Sequence, residues 1–98
     1  MNLMVSDPIL LIEILSPSDE IETWANIWAY TTIPSVVEIL VVSSTKIEAE
    51  LLRHRDDGSW PEIPERIGAG DDMKLASIDF SIVLRAFYRT TALAGSAA

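Results

Sequence analysis

The chain has 98 residues, no cysteine, a net charge of −8 and a mean hydropathy of +0.27. This length suits one domain, and the hydrophobic and charged fractions of 49% and 22% are those of a globular protein. The composition excludes disulfides and thiolate zinc sites, and a single histidine, His54, argues against a histidine-rich metal site or a Ser-His-Asp triad. The hydropathy is high for a small monomer, which indicates a partner surface or a part of a larger protein.

Charge is distributed unevenly along the chain. Residues 1–45 contain six acidic side chains and no lysine or arginine, whereas all seven basic residues lie from Lys46 onward. Because phosphate binding depends on lysine and arginine, this pattern predicts a poor nucleic-acid binder. No stretch reaches the roughly 18 apolar residues of a membrane-spanning helix, and the N-terminus lacks the basic region of a secretory signal. We therefore expect a cytoplasmic protein.

The first predicted element is a strand at residues 9–15, a run of leucine and isoleucine interrupted only by Glu13. A strand this apolar normally has neighbours on both sides, so we expect it to lie centrally in a sheet. Ser16-Pro17-Ser18-Asp19 then predicts a helix start in which Ser16 caps and Pro17 takes the first helical position. The helix is predicted to end near Tyr30 and to pack one apolar stripe against the sheet, namely Ile21, Trp24, Ala25 and Trp28.

The middle of the chain predicts strands. VVEILVV at residues 36–42 is rich in β-branched residues, and KIEAELLRHR, which follows a Ser-Ser-Thr turn, alternates like a half-exposed antiparallel strand. Asp56-Asp57-Gly58-Ser59 predicts a hairpin turn, followed by a returning strand at residues 60–67 that two prolines interrupt.

The C-terminal third predicts a loop, packed hydrophobic residues and a helix. Residues 68–72 are expected to form the loop, and Leu75, Ile78 and Phe80 to pack. A final helix is predicted at residues 81–88, and residues 89–98 are predicted to be a disordered tail.

This order of elements predicts an α/β fold with a mixed β-sheet and flanking helices. A strand–helix–strand unit implies two parallel strands joined by a right-handed crossover, and the later strands form an antiparallel meander. Only eight residues precede the first strand, so we expect one of its edges to be uncovered. We therefore predict a single domain over residues 1–98 that is truncated at its N-terminus and forms a homodimer.

Four segments carry a resemblance to a known family. LIEILSPSD, AYTTIPSVVEILVV, RDDGSW and SIDFSIVLRAFY resemble, in this order, the Uma family of bacterial restriction endonuclease-like proteins, which belongs to the PD-(D/E)xK nuclease superfamily. The resemblance covers residues 5–88 and corresponds to the C-terminal half of a typical member. It implies a partial restriction-endonuclease-like core and a Mg²⁺-dependent hydrolase of DNA phosphodiesters, although this chain is acidic.

The resemblance also implies a set of site residues. In the family pattern two carboxylates on adjacent strands hold Mg²⁺, which polarises the phosphodiester and activates water, and a lysine assists. By resemblance Glu13 is a catalytic residue and one metal ligand, while Asn26, four residues before Tyr30, occupies the place where the lysine often lies. The chain departs from the pattern because Asp7, the only upstream acid, is not at the position of the first ligand, and no lysine precedes Lys46. We therefore expect that this chain alone does not cleave DNA.

Other interpretations of the whole chain remain open. It could be a non-catalytic interaction or dimerisation module, or a degenerate remnant of a nuclease. Alternatively, the start codon could be misplaced, with the missing aspartate encoded just upstream.

The candidate residues also have plainer interpretations. Glu13 could be an ordinary strand-end glutamate that reaches water or pairs with Arg66 or Arg85. Trp24 and Trp28 could stack on bases, although their helical spacing favours packing against the sheet.

Three polar positions complete the sequence-based predictions. Glu38 has no motif around it, and we expect it to be exposed or at a sheet edge. His54 is expected to be solvated near the hairpin turn, and the flanking Arg53 and Arg55 are candidates for contact with phosphate in a complete protein.

Overall fold

The computed structural model describes residues 8–91, which form a small α/β domain. A mixed four-stranded sheet contains β1 (Leu10–Leu15), β2 (Glu38–Ser43), β3 (Glu48–Arg53) and β4 (Glu65–Gly68). A separate two-stranded sheet contains β5 (Asp72–Leu75) and β6 (Phe80–Val83). The helices are α1 (Glu20–Tyr30) and α2 (Leu84–Thr91), and short 3-10 turns form at Pro17–Asp19 and Ala76–Ile78.

The strand order confirms the predicted parallel pair and the antiparallel meander. The main sheet has the order β1-β2-β3-β4, with β1 parallel to β2 and the remaining neighbours antiparallel. Within the part of the chain described, β1 lies at the edge of the sheet and pairs only with β2, which agrees with the expectation that one of its edges is uncovered. The internal strands are β2 and β3, and the residues of β2 from Glu38 to Val42 are all buried.

Hydrophobic clusters cover both faces of the main sheet. On one face Ile39 and Val41 of β2 pack with Ile27 of α1. On the other face Leu40 and Val42 pack against residues of the second sheet and of α2. Because side chains alternate along a strand, β2 supplies both clusters, which explains its almost continuous apolar sequence.

Helix α1 packs with a different face from the predicted stripe. Its buried residues are Thr23 and Ile27, and Trp24 and Tyr30 are partly buried beside them. Ile21 is 89% exposed and Trp28 is 39% exposed, so neither is buried against the sheet. The stripe prediction is wrong because a pattern of apolar residues does not show which of two overlapping helix faces meets the sheet.

The predicted cap at the start of this helix is also not observed. Ser16 precedes a 3-10 turn and makes no capping hydrogen bond with its side chain, and its Oγ lies 3.1 Å from the Oγ of Ser18. Pro17 does occupy the first position of that turn, as predicted.

The connection from β3 to β4 contains the predicted turn but less strand than expected. The N–H of Gly58 donates to the carbonyl of Arg55 over 2.9 Å, and Gly58 has a φ of 85°, which favours glycine. The returning strand covers Glu65–Gly68 rather than residues 60–67. Pro61 and Pro64 lack the N–H that a ladder position requires, so strand pairing begins only after them.

The C-terminal third differs most from its prediction. Asp72–Leu75, of which Asp72 is predicted to belong to a loop, pairs antiparallel with Phe80–Val83, of which residues 81–83 are predicted to open the final helix. Helix α2 therefore begins at Leu84 and not at Ser81, and it extends to Thr91, beyond the predicted start of the tail. Leu75 is buried as predicted, but Ile78 and Phe80 are 48% and 39% exposed. Residues 92–98 lie outside the described part.

Candidate functional site

Glu13 lies on the face of β1 that is covered by α1. Its neighbours on that face, Leu11 and Leu15, pack against the same cluster as Ile27. The hydroxyl of Tyr30, the last residue of α1, donates a hydrogen bond of 2.8 Å to Oε1 of Glu13. The plainer prediction of an ion pair with Arg66 or Arg85 is wrong within residues 8–91, where Arg66 pairs with Glu50.

The Tyr30–Glu13 contact fixes the direction of the carboxylate. Hydrogen bonding to Glu13 raises the pKa of the Tyr30 phenol, and burial and the charge of Glu13 raise it further. Tyr30 therefore stays protonated and continues to donate at neutral pH. Oε2 of Glu13 has no protein hydrogen-bond partner in the described part of the chain.

Asn26 is exposed on α1, one helical turn before Tyr30. Residues four apart lie on the same side of a helix, so Asn26 and Tyr30 project from the same side of α1. Its side chain makes no hydrogen bond to Glu13 in residues 8–91. Its assignment to the place of the lysine stays a prediction.

Within residues 8–91 Glu13 is not part of a cluster of metal-ligating side chains. No group of three or more histidine or carboxylate side chains suited to a metal occurs among residues 8–91. Mg²⁺ requires six oxygen ligands in nearly octahedral geometry, and Glu13 supplies one carboxylate. Asp7, the upstream acid, lies outside the described residues.

Glu38 is the polar residue that sequence reasoning placed wrongly. Its side chain is only 1% exposed, and its Oε2 accepts a hydrogen bond of 2.8 Å from Nε of Arg53. The backbone N–H groups of Ala76 and Ser77 also donate to this carboxylate, over 3.2 and 2.7 Å. Glu38 and Arg53 are directly opposite in the β2–β3 register. Pairing the two predicted strands antiparallel in this register would have placed the opposite charges side by side.

The residues flanking the hairpin turn have structural contacts. Arg53 also donates through Nη2 to the carbonyl of Lys74, and Arg55 donates to Oγ of Ser59. These contacts do not favour Arg53 as a phosphate ligand. His54 is half-buried, with its ring 5.6 Å from that of Trp60 in an edge-to-face arrangement, so the prediction of a solvated His54 is wrong.

Within residues 8–91 no helix is long and apolar enough to span a membrane. This agrees with the absence of a long apolar run in the sequence.

Comparison with known proteins gives a distant homologue and no family. No protein-family profile matches the chain, and no solved structure matches it. The uncharacterized protein slr1290 of Synechocystis sp. (strain ATCC 27184 / PCC 6803 / Kazusa) is 34% identical over 86 residues, which cover 87% of this chain and 44% of that protein. The chain thus spans less than half the length of this relative. It is a distant homologue of slr1290, and the resemblance to the Uma family stays a prediction.

Proposed function

We propose that this chain is part of a Uma-type, restriction endonuclease-like domain and that Glu13 is one ligand of a Mg²⁺-dependent DNA hydrolase. The observation that carries the proposal is the hydrogen bond between Glu13 and Tyr30, the last residue of α1. A carboxylate held by one oxygen and open at the other is suited to bind a hard cation. The second carboxylate and the positive charge would have to come from outside residues 8–91.

The motif that suggested this function is also a coherent structural unit. The strand with Glu13, the helix with Asn26 and Tyr30, and the strand β2 form one parallel strand–helix–strand unit. In this unit Glu13 and the last turn of α1 meet over one face of the sheet.

Paramagnetic line broadening tests Glu13 as a ligand. Mn²⁺ replaces Mg²⁺ at oxygen sites and broadens nearby amide signals, so we expect selective broadening at Ile12, Glu13 and Ile14. Glu13→Gln should abolish it, whereas Glu50→Gln, which removes a charge from another strand, should not. Broadening spread over the acidic surface and unchanged by Glu13→Gln would contradict the proposal.

Plasmid cleavage tests the activity separately. We expect no Mg²⁺-dependent nicking of supercoiled plasmid by the 98-residue chain, because the described part supplies one carboxylate and no adjacent lysine. Cleavage that is lost in Glu13→Ala would show that the site is complete, contrary to this expectation.

A second function is favoured by the edge of β1. In the part of the chain described, β1 pairs only with β2, and the carbonyls of Ile9 and Leu15 bond toward β2. The N–H and C=O groups of Leu10, Ile12 and Ile14 therefore point to the uncovered edge, because backbone groups alternate along a strand. The side chains of Ile12 and Ile14 are 51% and 50% exposed.

We propose a second copy of the chain as the partner of this edge. An antiparallel pairing centred on Ile12 would place Leu10 opposite Ile14 of the other copy and Glu13 opposite Leu11. No like charges then face each other directly, and the two main sheets join into one.

Sedimentation velocity over a wide concentration range tests this pairing. We expect a dimer that Ile12→Lys dissociates, while Ile63→Lys, at a position that is 83% exposed elsewhere, has no effect. A monomer at all concentrations, or equal effects of the two variants, would contradict it.

A further inference from the structure

A cavity of about 540 Å³ lies between α1 and the carboxyl ends of β1 and β2, and Glu13 does not line it. The last residues of these strands, Leu15 and Ser43, form its floor, and Trp24 and Trp28 of α1 line one side. The volume is in the range of small-molecule sites, and the carboxyl ends of parallel strands are the usual place for them in α/β sheets.

The charges in the cavity favour a cation. Three carboxylates line it (Glu20, Glu48 and Glu50) against two basic groups, so its net charge is −1. Both basic groups are already paired, since Lys46 lies 3.5 Å from Glu48 and Arg66 lies 3.7 Å from Glu50. Glu20 has no ion-pair partner within residues 8–91.

The tryptophans select an organic cation over a metal ion. Glu20, Trp24 and Trp28 recur every four residues, so they project from one side of α1 into the cavity. The two indole rings are 6.5 Å apart at 34° to each other, and Trp28 is 39% exposed. Indole faces attract alkylated ammonium and guanidinium groups, whereas a small metal ion would retain its water and gain little from them.

We propose that this cavity binds an organic cation, with its charge beside Glu20 and its carbon atoms against Trp24 and Trp28. The ligand chemistry is an ammonium or guanidinium group on a short apolar stem. A free amine and a lysine or arginine side chain of a polypeptide both present it. The proposed cation binding does not depend on the function proposed for Glu13.

Tryptophan indole N–H resonances of the full chain test the proposal. Choline is compared with 3,3-dimethyl-1-butanol, its neutral isostere, at constant ionic strength. We expect choline to shift the Trp24 and Trp28 signals saturably, to leave Trp60 unchanged, and to bind more tightly than the alcohol. Equal affinity for the two probes, or stronger binding of benzoate at the same indoles, would overturn the proposal.

Two variants and two peptides complete the test. Glu20→Gln should weaken choline binding by about five- to tenfold, and Glu22→Gln, at an exposed position on the same helix outside the cavity, should not change it. An unchanged affinity in Glu20→Gln would also overturn the proposal. Tighter binding of N-acetyl-lysine amide or its arginine counterpart than of choline assigns the cation to a polypeptide, and weaker binding assigns it to a free amine.

Discussion

Glu38 is the charged residue that is buried among residues 8–91, with 1% of its surface exposed. Burial alone would raise its pKa, but hydrogen bonding from Ser77 and the guanidinium of Arg53 outweigh burial and hold the pKa below its usual value. The ion pair of Glu38 and Arg53 also connects the two sheets, because Arg53 donates to the carbonyl of Lys74 in β5. Glu38 therefore stabilises the contact between the sheets, which is a structural role and not a catalytic one.

We expect Glu38→Ala to lower the free energy of unfolding by about 3 kcal/mol, because it leaves backbone donors and Arg53 without their acceptor. Urea denaturation measures the change. Glu50→Ala is the control, since its partner Arg66 is largely exposed and lies 3.7 Å away, and we expect a loss below about 1 kcal/mol. Similar losses in the two variants would contradict the assigned role of Glu38.

The same carboxylate predicts a loss of stability in acid. A carboxyl group whose pKa is lower in the folded state stabilises the fold above its unfolded pKa, which is about 4.3 for glutamate. This stabilisation disappears as the pH falls through the lower, folded pKa of Glu38. We expect the free energy of unfolding, measured by urea denaturation at a series of acidic pH values, to fall less in Glu38→Gln than in the parent chain. An equal fall in both proteins would contradict this role of Glu38.

Helix α1 has an inner and an outer face, and each carries apolar residues. The inner face contains Thr23 and Ile27, while Ile21 and Trp28 belong to the outer side. Ile21, which is 89% exposed, contributes little burial to the described fold. Trp28 lines the cavity, where its indole is placed to contact the proposed ligand.

A matched pair of substitutions distinguishes the two faces. Ile27 is fully buried and Ile21 is 89% exposed, so the same change to alanine removes packing at one position only. We expect Ile27→Ala to cost about 2–5 kcal/mol and Ile21→Ala to stay within about 0.5 kcal/mol. Thermal or urea unfolding measures both, and a large loss in Ile21→Ala would show that the originally predicted stripe is the packed face.

Tyr88 connects α2 to the main sheet and so affects the whole molecule. Its side chain is fully buried, and its hydroxyl lies 2.7 Å from the carbonyl of Ser43 and 2.8 Å from that of Glu48. These carbonyls flank the β2–β3 connection. Burial raises the pKa of Tyr88, so the phenol stays protonated. The protonated phenol thus holds the last helix against the sheet.

We expect Tyr88→Phe to lower the free energy of unfolding by about 1–2 kcal/mol while leaving the fold unchanged, because buried carbonyls lose a donor. Amide hydrogen exchange should become faster in α2 and in the β2–β3 connection. Tyr30→Phe serves for comparison, since Tyr30 is less buried, and we expect its exchange effect to stay at the end of α1. The same pattern of faster amide exchange in the two variants would contradict the role assigned to Tyr88.

Several features followed from the sequence alone because they depend on local patterns. The runs around Glu13 and Glu38 identified two strands, Pro17 and Pro34 enclosed the helix between them, and a strand–helix–strand unit made the pair parallel. The motif also selected Glu13 as the candidate site residue. Composition excluded thiolate sites, and no helix able to span a membrane was found within residues 8–91.

Tertiary structure decided which surfaces are covered. Whether Ile27 or Ile21 is buried depends on how α1 is oriented over the sheet, and whether Glu38 can be buried depends on donors from Ser77, 39 residues away. Phe80–Val83 forms a strand because Asp72–Leu75 is there to pair with it. Local patterns specify an element and its two candidate faces, but burial and hydrogen-bond partners arise from contacts between residues distant in the chain.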